Sequence, residues 1–400
     1  MPRVALLDGL RGYFLVFMLV SHLFGGRYPL VKVNHAELGF VQDAQGFVFL
    51  SGLLVGALYG RRMDRHGFDG PARQIWKRAF ELYLWTLGLM IAILVLREIL
   101  PGAASIWGEW LGLLPTLSAP VATAAVTLLY QPTFFDILPQ YILYMAAAPF
   151  LLWLCVTGRA TLVLAGSAVL WLAMQLGMHL ALAEGINALL GGWHEGLTLR
   201  AAFNPLAWQI LFFSAMAIGA LWAQGKVDVG RILDPRRPAP AIIAATVVAL
   251  FAFWRFGFTF ELLPRVMMLR FWIYENRPEF SLVFLVNFVA LGYLVAWLLV
   301  AGGASASHTV RRASAILNGL FMLPFLRLLG RHSLHVYAWH VLVVYIALWF
   351  DGYYGPFGAL GRTLIGLACI PLLAVPAVFV EWRKQRRDRL AAAPAVAPDA

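Results

Sequence analysis

The sequence predicts an all-α integral membrane protein, a bundle of about ten transmembrane helices with both termini in the cytoplasm. Hydrophobic residues make up 61% of the 400-residue chain, and charged residues only 13%. The mean hydropathy is +0.76, and apolar runs long enough to cross a bilayer recur along the chain. A soluble α/β enzyme would have shorter apolar runs interrupted by amphipathic helices, so the composition excludes that class.

The basic residues indicate how the chain is oriented. Ten spans are predicted, at approximately 4–24, 44–60, 76–97, 136–156, 161–182, 205–223, 239–256, 279–300, 329–350 and 359–380. An even number of spans places both termini on one side, and 22 of the 31 Lys and Arg residues fall on that side. By the positive-inside rule this side is cytoplasmic. The same rule accounts for the net charge of +11, so no nucleic-acid partner is expected.

Two segments between the spans are expected to stay out of the membrane. Residues 98–135 are predicted to form interfacial helices, because one more crossing there would reverse every later loop and abolish the charge asymmetry. Residues 313–328 are predicted to form a surface helix. We expect one membrane domain, 1–382, followed by a tail, 383–400, that is basic at first and then disordered.

The first span carries three ionisable residues, Asp8, Arg11 and His22, although a charged group within lipid costs several kcal/mol. Eleven residues separate Arg11 from His22, which is within about 20° of three helical turns. Both side chains therefore face one way, roughly 16 Å apart along the axis. We expect this face to line one passage, with the cation at its inner mouth and the imidazole farther along. A surface pair of Asp8 with Arg11, and a core histidine, stay open as alternatives.

Several stretches resemble a known family. LDGLRGYFLVFMLVSH is similar to the opening of the acyltransferase-3 superfamily, whose basic residue and histidine, with ten residues between them, match Arg11 and His22. GFVFLSGLLVGALYGRR, WKRAFELYLW and DILPQYILYMAAAPFLL resemble its second, third and fourth spans. The stretches QDAQGFVFLSG, FNPLAWQILFF, YENRPEF and LGRHSLHVYAWHVL resemble, more narrowly, its OpgC branch.

The resemblance implies an O-acyltransferase of the bacterial inner membrane that succinylates osmoregulated periplasmic glucans. Its donor would be a cytoplasmic acyl-CoA, with succinyl-CoA expected first, bound as a substrate and not as a permanent cofactor. His22 would be the general base, Arg11 would contact CoA phosphates or the cavity wall, and Asp8 would position Arg11. An acetyl donor, a different envelope polysaccharide as acceptor, and a non-catalytic polysaccharide transporter stay open as alternatives.

Other residues are weaker candidates for contact with the donor or for support of His22. Those near the predicted inner side are Ser51, Arg61, Arg62, Lys77, Arg78, His332 and Ser333. The four cations among them suit lipid headgroups equally well, and Ser51 suits a hydrogen bond between helices. Asp43 precedes the second span, where it would either orient His22 or be a solvated loop acid.

The candidates for contact with the acceptor lie on the predicted outer side. They are Asn204, Trp208, Gln209, Arg265, Glu275 and Arg277. Amides can bond sugar hydroxyls and an indole can stack on a pyranose ring, although Trp208 also suits an interfacial anchor. The three charged residues of the outer loop would meet the glucan or the succinyl group.

A metal site is not expected. His332 and His335 are three residues apart, which can bring two ligands together on a helix, but no HExxH sequence or acidic partner accompanies them. Cys155 and Cys369 each lie in an apolar run, which argues against a disulfide or a thiolate metal site.

Overall fold

The computed structural model describes residues 5–135 and 137–392, and this part of the chain is predominantly helical, without a β-strand. Nine of its helical segments are long and apolar enough to cross a membrane. The prediction of an all-α membrane bundle of about ten helices is therefore confirmed. We call the end of the bundle where the first helix begins the near end, and the end where it stops the far end.

The principal helices are α1 (Ala5–His22), α2 (Asp43–His66), α3 (Asp69–Ile99), α4 (Ile137–Leu154), α5 (Ala160–Gln175), α6 (Leu180–Trp193), α7 (Pro205–Ala223), α8 (Ala239–Thr259), α9 (Arg265–Tyr274), α10 (Leu282–Val300), α11 (His308–Phe321), α12 (Pro324–Arg331), α13 (Ser333–Tyr354), α14 (Ala359–Leu372) and α15 (Ala374–Ala392). The last of these includes the basic stretch after residue 382. The end of the predicted tail, 393–400, lies outside the described residues.

The continuous helical segment from 137 to 175 is a hairpin of two spans. Gly158 interrupts it with a left-handed φ of 89°, which glycine adopts without the steric cost of a side chain. Gln224, just after α7, donates to the carbonyl of Val156 across 3.0 Å. Gln175 contacts Glu279, which also bonds Asn204 just before α7. Since α4 ends at one end of α7 and α5 ends at the other, the two run in opposite directions.

The helices α11 and α12 form a broken pair, bent by 54°. Asn318 of α11 bonds the carbonyl of Leu299, at the close of α10, and Arg331 of α12 lies 3.7 Å from Glu381 of α15. Both contacts are at the near end, so the pair does not cross the bundle. The predicted surface helix at 313–328 is therefore two helices, and the second packs against α1.

Glycines allow the closest helix contacts. Gly52 and Gly56 of α2 face the carbonyls of Phe212 and Met216 of α7, and a Cβ on either glycine would lie 2.2 or 2.0 Å from the carbonyl oxygen. At Gly12 of α1, a Cβ would lie 1.9 Å from a carbonyl oxygen of α12. Small residues at such crossings let two backbones touch, which is a common source of helix association in membranes.

Residues 98–135 contain no span and pack onto the far end. Their helices are short, Ala103–Ile106, Gly108–Leu111 and Ala119–Val126. Trp107 is fully buried, and its indole nitrogen donates to the carbonyl of Tyr345 in α13 across 3.0 Å. This segment therefore covers one side of the region in which α1 ends.

Candidate active site

The ionisable face of α1 is directed at α13. A guanidinium nitrogen of Arg11 donates to Ser333 Oγ across 2.6 Å, and Nδ1 of His22 lies 3.2 Å from Nε2 of His340. Both residues of the predicted stripe therefore contact one helix, as their spacing in the sequence requires. Ser333 and His340 are themselves seven residues apart, close to two helical turns, so they share a face of α13.

His22 is held between aromatic rings. Its imidazole lies 4.8 Å from the Phe134 ring and 5.4 Å from the His340 ring, in a stacked arrangement with the latter. His340 is fully buried, and its Nδ1 makes a short hydrogen bond with the carbonyl of Tyr337 in the preceding turn. The ring of His22 is thus fixed in orientation, while its edge reaches a cavity.

This far cavity has a volume of about 180 Å³ and opens beside His22. Its polar lining residues are Ser21, His22, Asn34, Glu37, Gln42, Asp43, Arg255, Glu275 and Arg277. Carboxylates and amide oxygens accept hydrogen bonds from hydroxyl groups, and guanidinium groups donate to oxygen. The cavity is therefore suited to a ligand that carries many hydroxyl groups, at a point that a ring nitrogen of His22 can reach.

Asp43 does not contact His22, which corrects the expectation that this carboxylate orients the imidazole. It accepts hydrogen bonds from Ser21 Oγ across 3.2 Å and from Asn34 Nδ2 across 2.9 Å, and it lies 3.7 Å from Nδ1 of His35. Burial lowers the pKa of His35 to about 4, because desolvation disfavours the charged imidazole. The partner of His22 is His340, a residue that was not among the sequence-based candidates.

Arg277 belongs to a loop that α5 and α7 hold in place. The indole nitrogen of Trp208 donates to the carbonyls of Arg277 and Pro278. Gln175 bonds the carbonyl of Glu279, and Trp171 bonds that of Phe280. Four successive carbonyls therefore each have a side-chain donor. The Arg277 guanidinium lies 4.8 Å from the Phe203 ring centroid and is within electrostatic range of both His22 and Asp43.

These contacts correct the expectation of sugar binding by the residues that open α7. Trp208 is fully buried, so its ring has no face free for a pyranose. Gln209 is also buried and bonds Ser167, and the side chain of Asn204 bonds Glu279 and caps α7. The three residues position the loop that carries Arg277, and no direct contact with a ligand in the far cavity follows from their placement.

The three charged candidates of the outer loop, Arg265, Glu275 and Arg277, differ in whether they line the far cavity. Glu275 lines the far cavity and binds Arg255 across 3.0 Å, and Glu37 lies 3.8 Å from the same guanidinium. Arg265 is exposed and is not part of the cavity wall. Of the three charged residues predicted to meet the acceptor, the structure therefore brings Glu275 and Arg277 into the wall of the cavity that His22 also lines.

A second cavity, the near pocket, lies at the opposite end of α1 and has a volume of about 330 Å³. It is lined by Ala5, Asp8, Arg327, Arg331, His332, Val380, Glu381 and Lys384. His332 and Arg331 both approach Glu381, at 3.3 and 3.7 Å. Three permanent cations against two carboxyl groups favour an anionic ligand.

The remaining donor candidates are outside this pocket. Arg62 bonds Gln74 across 2.7 Å and Arg78 binds Glu81 across 3.1 Å, and neither these two nor Arg61 and Lys77 line the near pocket. Ser51 is buried within α2 and is likewise not part of its wall.

The far cavity and the near pocket have separate walls, and neither reaches Arg11. The two cavities have no lining residue in common, and Arg11 lines neither. The Arg11 guanidinium lies 5.5 Å from the Phe47 ring centroid, and the Phe47 ring stacks 6.3 Å from that of Tyr337, which borders the far cavity. Two buried aromatic rings therefore lie between the Arg11 guanidinium and the far cavity.

The family of the chain follows from a comparison of its sequence. The sequence model of the OpgC protein family matches residues 3–385, essentially the whole chain. The chain belongs to the OpgC protein family. No curated protein and no solved structure matches it. Membership in the OpgC family indicates a membrane enzyme of the acyltransferase type that modifies glucans.

In this member of the OpgC family, several polar residues in or beside the two cavities were not among the sequence-based candidates. Asn34 and Arg255 line the far cavity, His340 bonds His22 beside it, and Arg327 and Lys384 line the near pocket. His340 had a signal in the sequence, because it lies two turns after Ser333 on one face of a span. In the described part of this OpgC family member, no three His, Cys, Asp or Glu side chains are placed to hold a metal ion.

Proposed function

We propose that the chain transfers an acyl group, expected to be succinyl, from acyl-CoA to a hydroxyl of an osmoregulated periplasmic glucan, with His22 as the general base. The observation that carries this proposal is the position of His22, whose ring is fixed on one side by His340 and open on the other to a polar cavity. A general base must lie within hydrogen-bond reach of the proton that it removes.

In the proposed reaction, a glucan hydroxyl in the far cavity gives its proton to a ring nitrogen of His22. The hydroxyl oxygen attacks the carbonyl carbon of the thioester and forms a tetrahedral oxyanion. When this intermediate collapses, the carbon–sulfur bond breaks and the thiolate leaves with the proton from His22. The products are an ester on the glucan and free CoA, and His22 returns to its starting state.

Arg277 is suited to stabilise the oxyanion. Its guanidinium is permanently charged and donates several hydrogen bonds, and the loop that carries it is fixed at four successive carbonyls. A donor that is already in place when charge develops on the substrate contributes more to the rate than one that must first be ordered. The same charge suits the free carboxylate of a succinyl group.

The near pocket supports a role in donor binding. Arg327, Arg331 and Lys384 offer cations to phosphate groups, and Arg11 lies farther along the same face of α1. The nucleotide of acyl-CoA would stay at this end while its thin arm extends toward His22. Phe47 and Tyr337 lie between Arg11 and the far cavity, so we expect the arm to displace one of these aromatic side chains.

The proposed orientation follows from the charges. The near end would face the cytoplasm, where acyl-CoA is made, and the far cavity would open to the periplasm of a bacterium with this protein in its inner membrane. Most Lys and Arg residues lie on the side of the two termini, as the positive-inside rule requires.

The test is acyl transfer by purified protein in lipid vesicles, supplied with acyl-CoA on one side and glucan on the other. Mass spectrometry of the glucan should show the added acyl group with the wild-type protein. His22→Ala should reduce the rate by roughly 10²-fold or more, the range expected for loss of a general base, and the exposed His66→Ala should not. Full activity of His22→Ala would refute the proposed base, and movement of glucan without consumption of acyl-CoA would indicate a transporter.

A further inference from the structure

His340 makes contacts on both sides of its ring. Its Nδ1 bonds the carbonyl of Tyr337, and its Nε2 lies 3.2 Å from Nδ1 of His22. A carbonyl can only accept a hydrogen bond, so Nδ1 of His340 must carry a hydrogen. The hydrogen on Nδ1 therefore determines whether Nε2 of the neutral His340 ring donates or accepts a hydrogen bond.

A neutral imidazole with its hydrogen on Nδ1 has a lone pair on Nε2. A second proton on His340 would place a cation at a fully buried position, where desolvation is costly. In the described part of the chain, neither imidazole bonds a carboxylate that would compensate such a charge. His340 is therefore an acceptor at Nε2, and the hydrogen in the bond between the rings belongs to Nδ1 of His22.

This arrangement leaves the lone pair of His22 on its Nε2. The Nδ1 edge of His22 is turned to α13, and the ring also lines the far cavity. Nε2 is thus the nitrogen available to a hydroxyl group there. If the two tautomers were interchanged, Nε2 of His22 would carry a hydrogen and could not remove a proton.

We propose that His340 is a positioning residue that holds His22 in the tautomer with hydrogen on Nδ1, so that Nε2 is the base. This inference rests on the proposed function of His22. Once His22 has taken a proton, its bond to His340 becomes charge-assisted and therefore stronger. A catalytic carboxylate that orients a histidine has a similar effect in other hydrolases and transferases, but here the acceptor is a neutral ring.

The surroundings of the pair come from several elements. Tyr337 of α13 supplies the carbonyl, and the ring of Phe134, in the segment before α4, lies 4.8 Å from that of His22 in a tilted arrangement. Arg277, from the loop before α10, is within electrostatic range of His22. Asp43 of α2 lines the same cavity and bonds Ser21, beside His22. A change in the charge of Arg277 or Asp43 would alter the electrostatic field around His22.

The first test compares two replacements of His340. Glutamine can accept from His22 through its carbonyl oxygen and donate to Tyr337 through its amide, so His340→Gln should keep kcat within about tenfold of the wild type. Phenylalanine fills the space but has no acceptor, so His340→Phe should lower kcat by about 10²-fold or more, with the KM for the glucan unchanged. His335→Phe, on the same helix but in contact with Trp85, is the matched control and should match the wild type.

The second test reads the tautomer directly and does not depend on activity. Nitrogen-15 NMR of protein labelled at histidine, with His22 assigned from the spectrum of His22→Gln, should show a protonated Nδ1 in the wild type. The resonance should move toward a mixture of tautomers in His340→Phe. A protonated Nε2 in neutral wild-type His22 would overturn the inference, as would equal activity losses in His340→Gln and His340→Phe. The proposed function fails separately, if His22→Ala stays active.

Discussion

The indole nitrogen of Trp208 lies 3.1 Å from the backbone carbonyls of both Arg277 and Pro278. One side chain of α7 thereby binds the loop that brings a guanidinium into the far cavity. Trp208 is fully buried and packs on Phe203, with a ring separation of 4.2 Å, and Phe203 in turn lies under the Arg277 guanidinium. The position of Arg277 thus depends on packing and hydrogen bonding from within the bundle.

Trp208→Phe should lower both stability and activity. The change removes the indole donor from the carbonyls of Arg277 and Pro278, each of which keeps one backbone donor, and a hydrogen bond of this kind contributes about 0.5–1.5 kcal/mol. The loop should become more mobile, so the transfer rate should fall by roughly tenfold even in the folded protein. Thermal unfolding and single-turnover transfer would measure the two effects. Trp193→Phe, at an exposed position of α6, is the control, and equal rates in both variants would contradict the role given to the loop.

Gly12→Ala should destabilise the bundle. The added methyl would lie 1.9 Å from the carbonyl oxygen of Leu326, so α12 would have to move away from α1. Overpacking of this kind typically costs about 1–3 kcal/mol. Gly88→Ala in α3, where the new methyl meets no atom within 4 Å, is the matched control. Unfolding in detergent at increasing temperature would compare them, and a Gly12→Ala protein as stable as Gly88→Ala would show that the contact is not tight.

Arg327→Gln should weaken donor binding. Arg327 lines the near pocket, and loss of one cation there should raise the KM for acyl-CoA about tenfold, with kcat nearly unchanged, because the residue is far from the reacting atoms. Arg386, which lies over Trp382 on α15 outside the pocket, supplies the control, Arg386→Gln. If Arg327→Gln and Arg386→Gln had the same KM, the near pocket would not be the donor site.

The stability of the protein should fall as the pH is lowered from about 7 to about 4. Burial lowers the pKa of His35 to about 4, whereas an unfolded histidine has a pKa of about 6.5. Between these values the unfolded chain binds more protons, so acid favours unfolding. Unfolding temperatures measured across this range should decline less steeply in His35→Gln than in the wild type. His66→Gln, at an exposed position, should follow the wild-type profile, and parallel profiles for all three proteins would contradict the assignment.

The sequence anticipated the fold because its signals are local. An apolar run predicts a span without knowledge of its neighbours, and nearly all ten predicted spans have a helical counterpart. The ends of the spans were predicted less accurately where tertiary contacts determine them. The fifth predicted span, 161–182, stops at Gln175, where the amide bonds the carbonyl of Glu279, 104 residues away.

The candidate site was anticipated in part. The eleven-residue spacing of Arg11 and His22 correctly predicted that both face one way, since helical periodicity alone fixes direction around an axis. Residue type alone misassigned Trp208 and Gln209, because an indole or an amide can serve a ligand or a buried carbonyl equally well. Only the burial of these two side chains distinguishes the two uses.

The sequence by itself determined that this chain is a helical membrane protein whose first span carries a cation and an imidazole on one face. The tertiary structure alone decided what those groups meet, because His22 and His340 are 318 residues apart in the chain. It also decided that the rings of Phe47 and Tyr337 lie between Arg11 and the far cavity. Helical periodicity acts over a few residues, whereas contacts between spans depend on how whole helices pack.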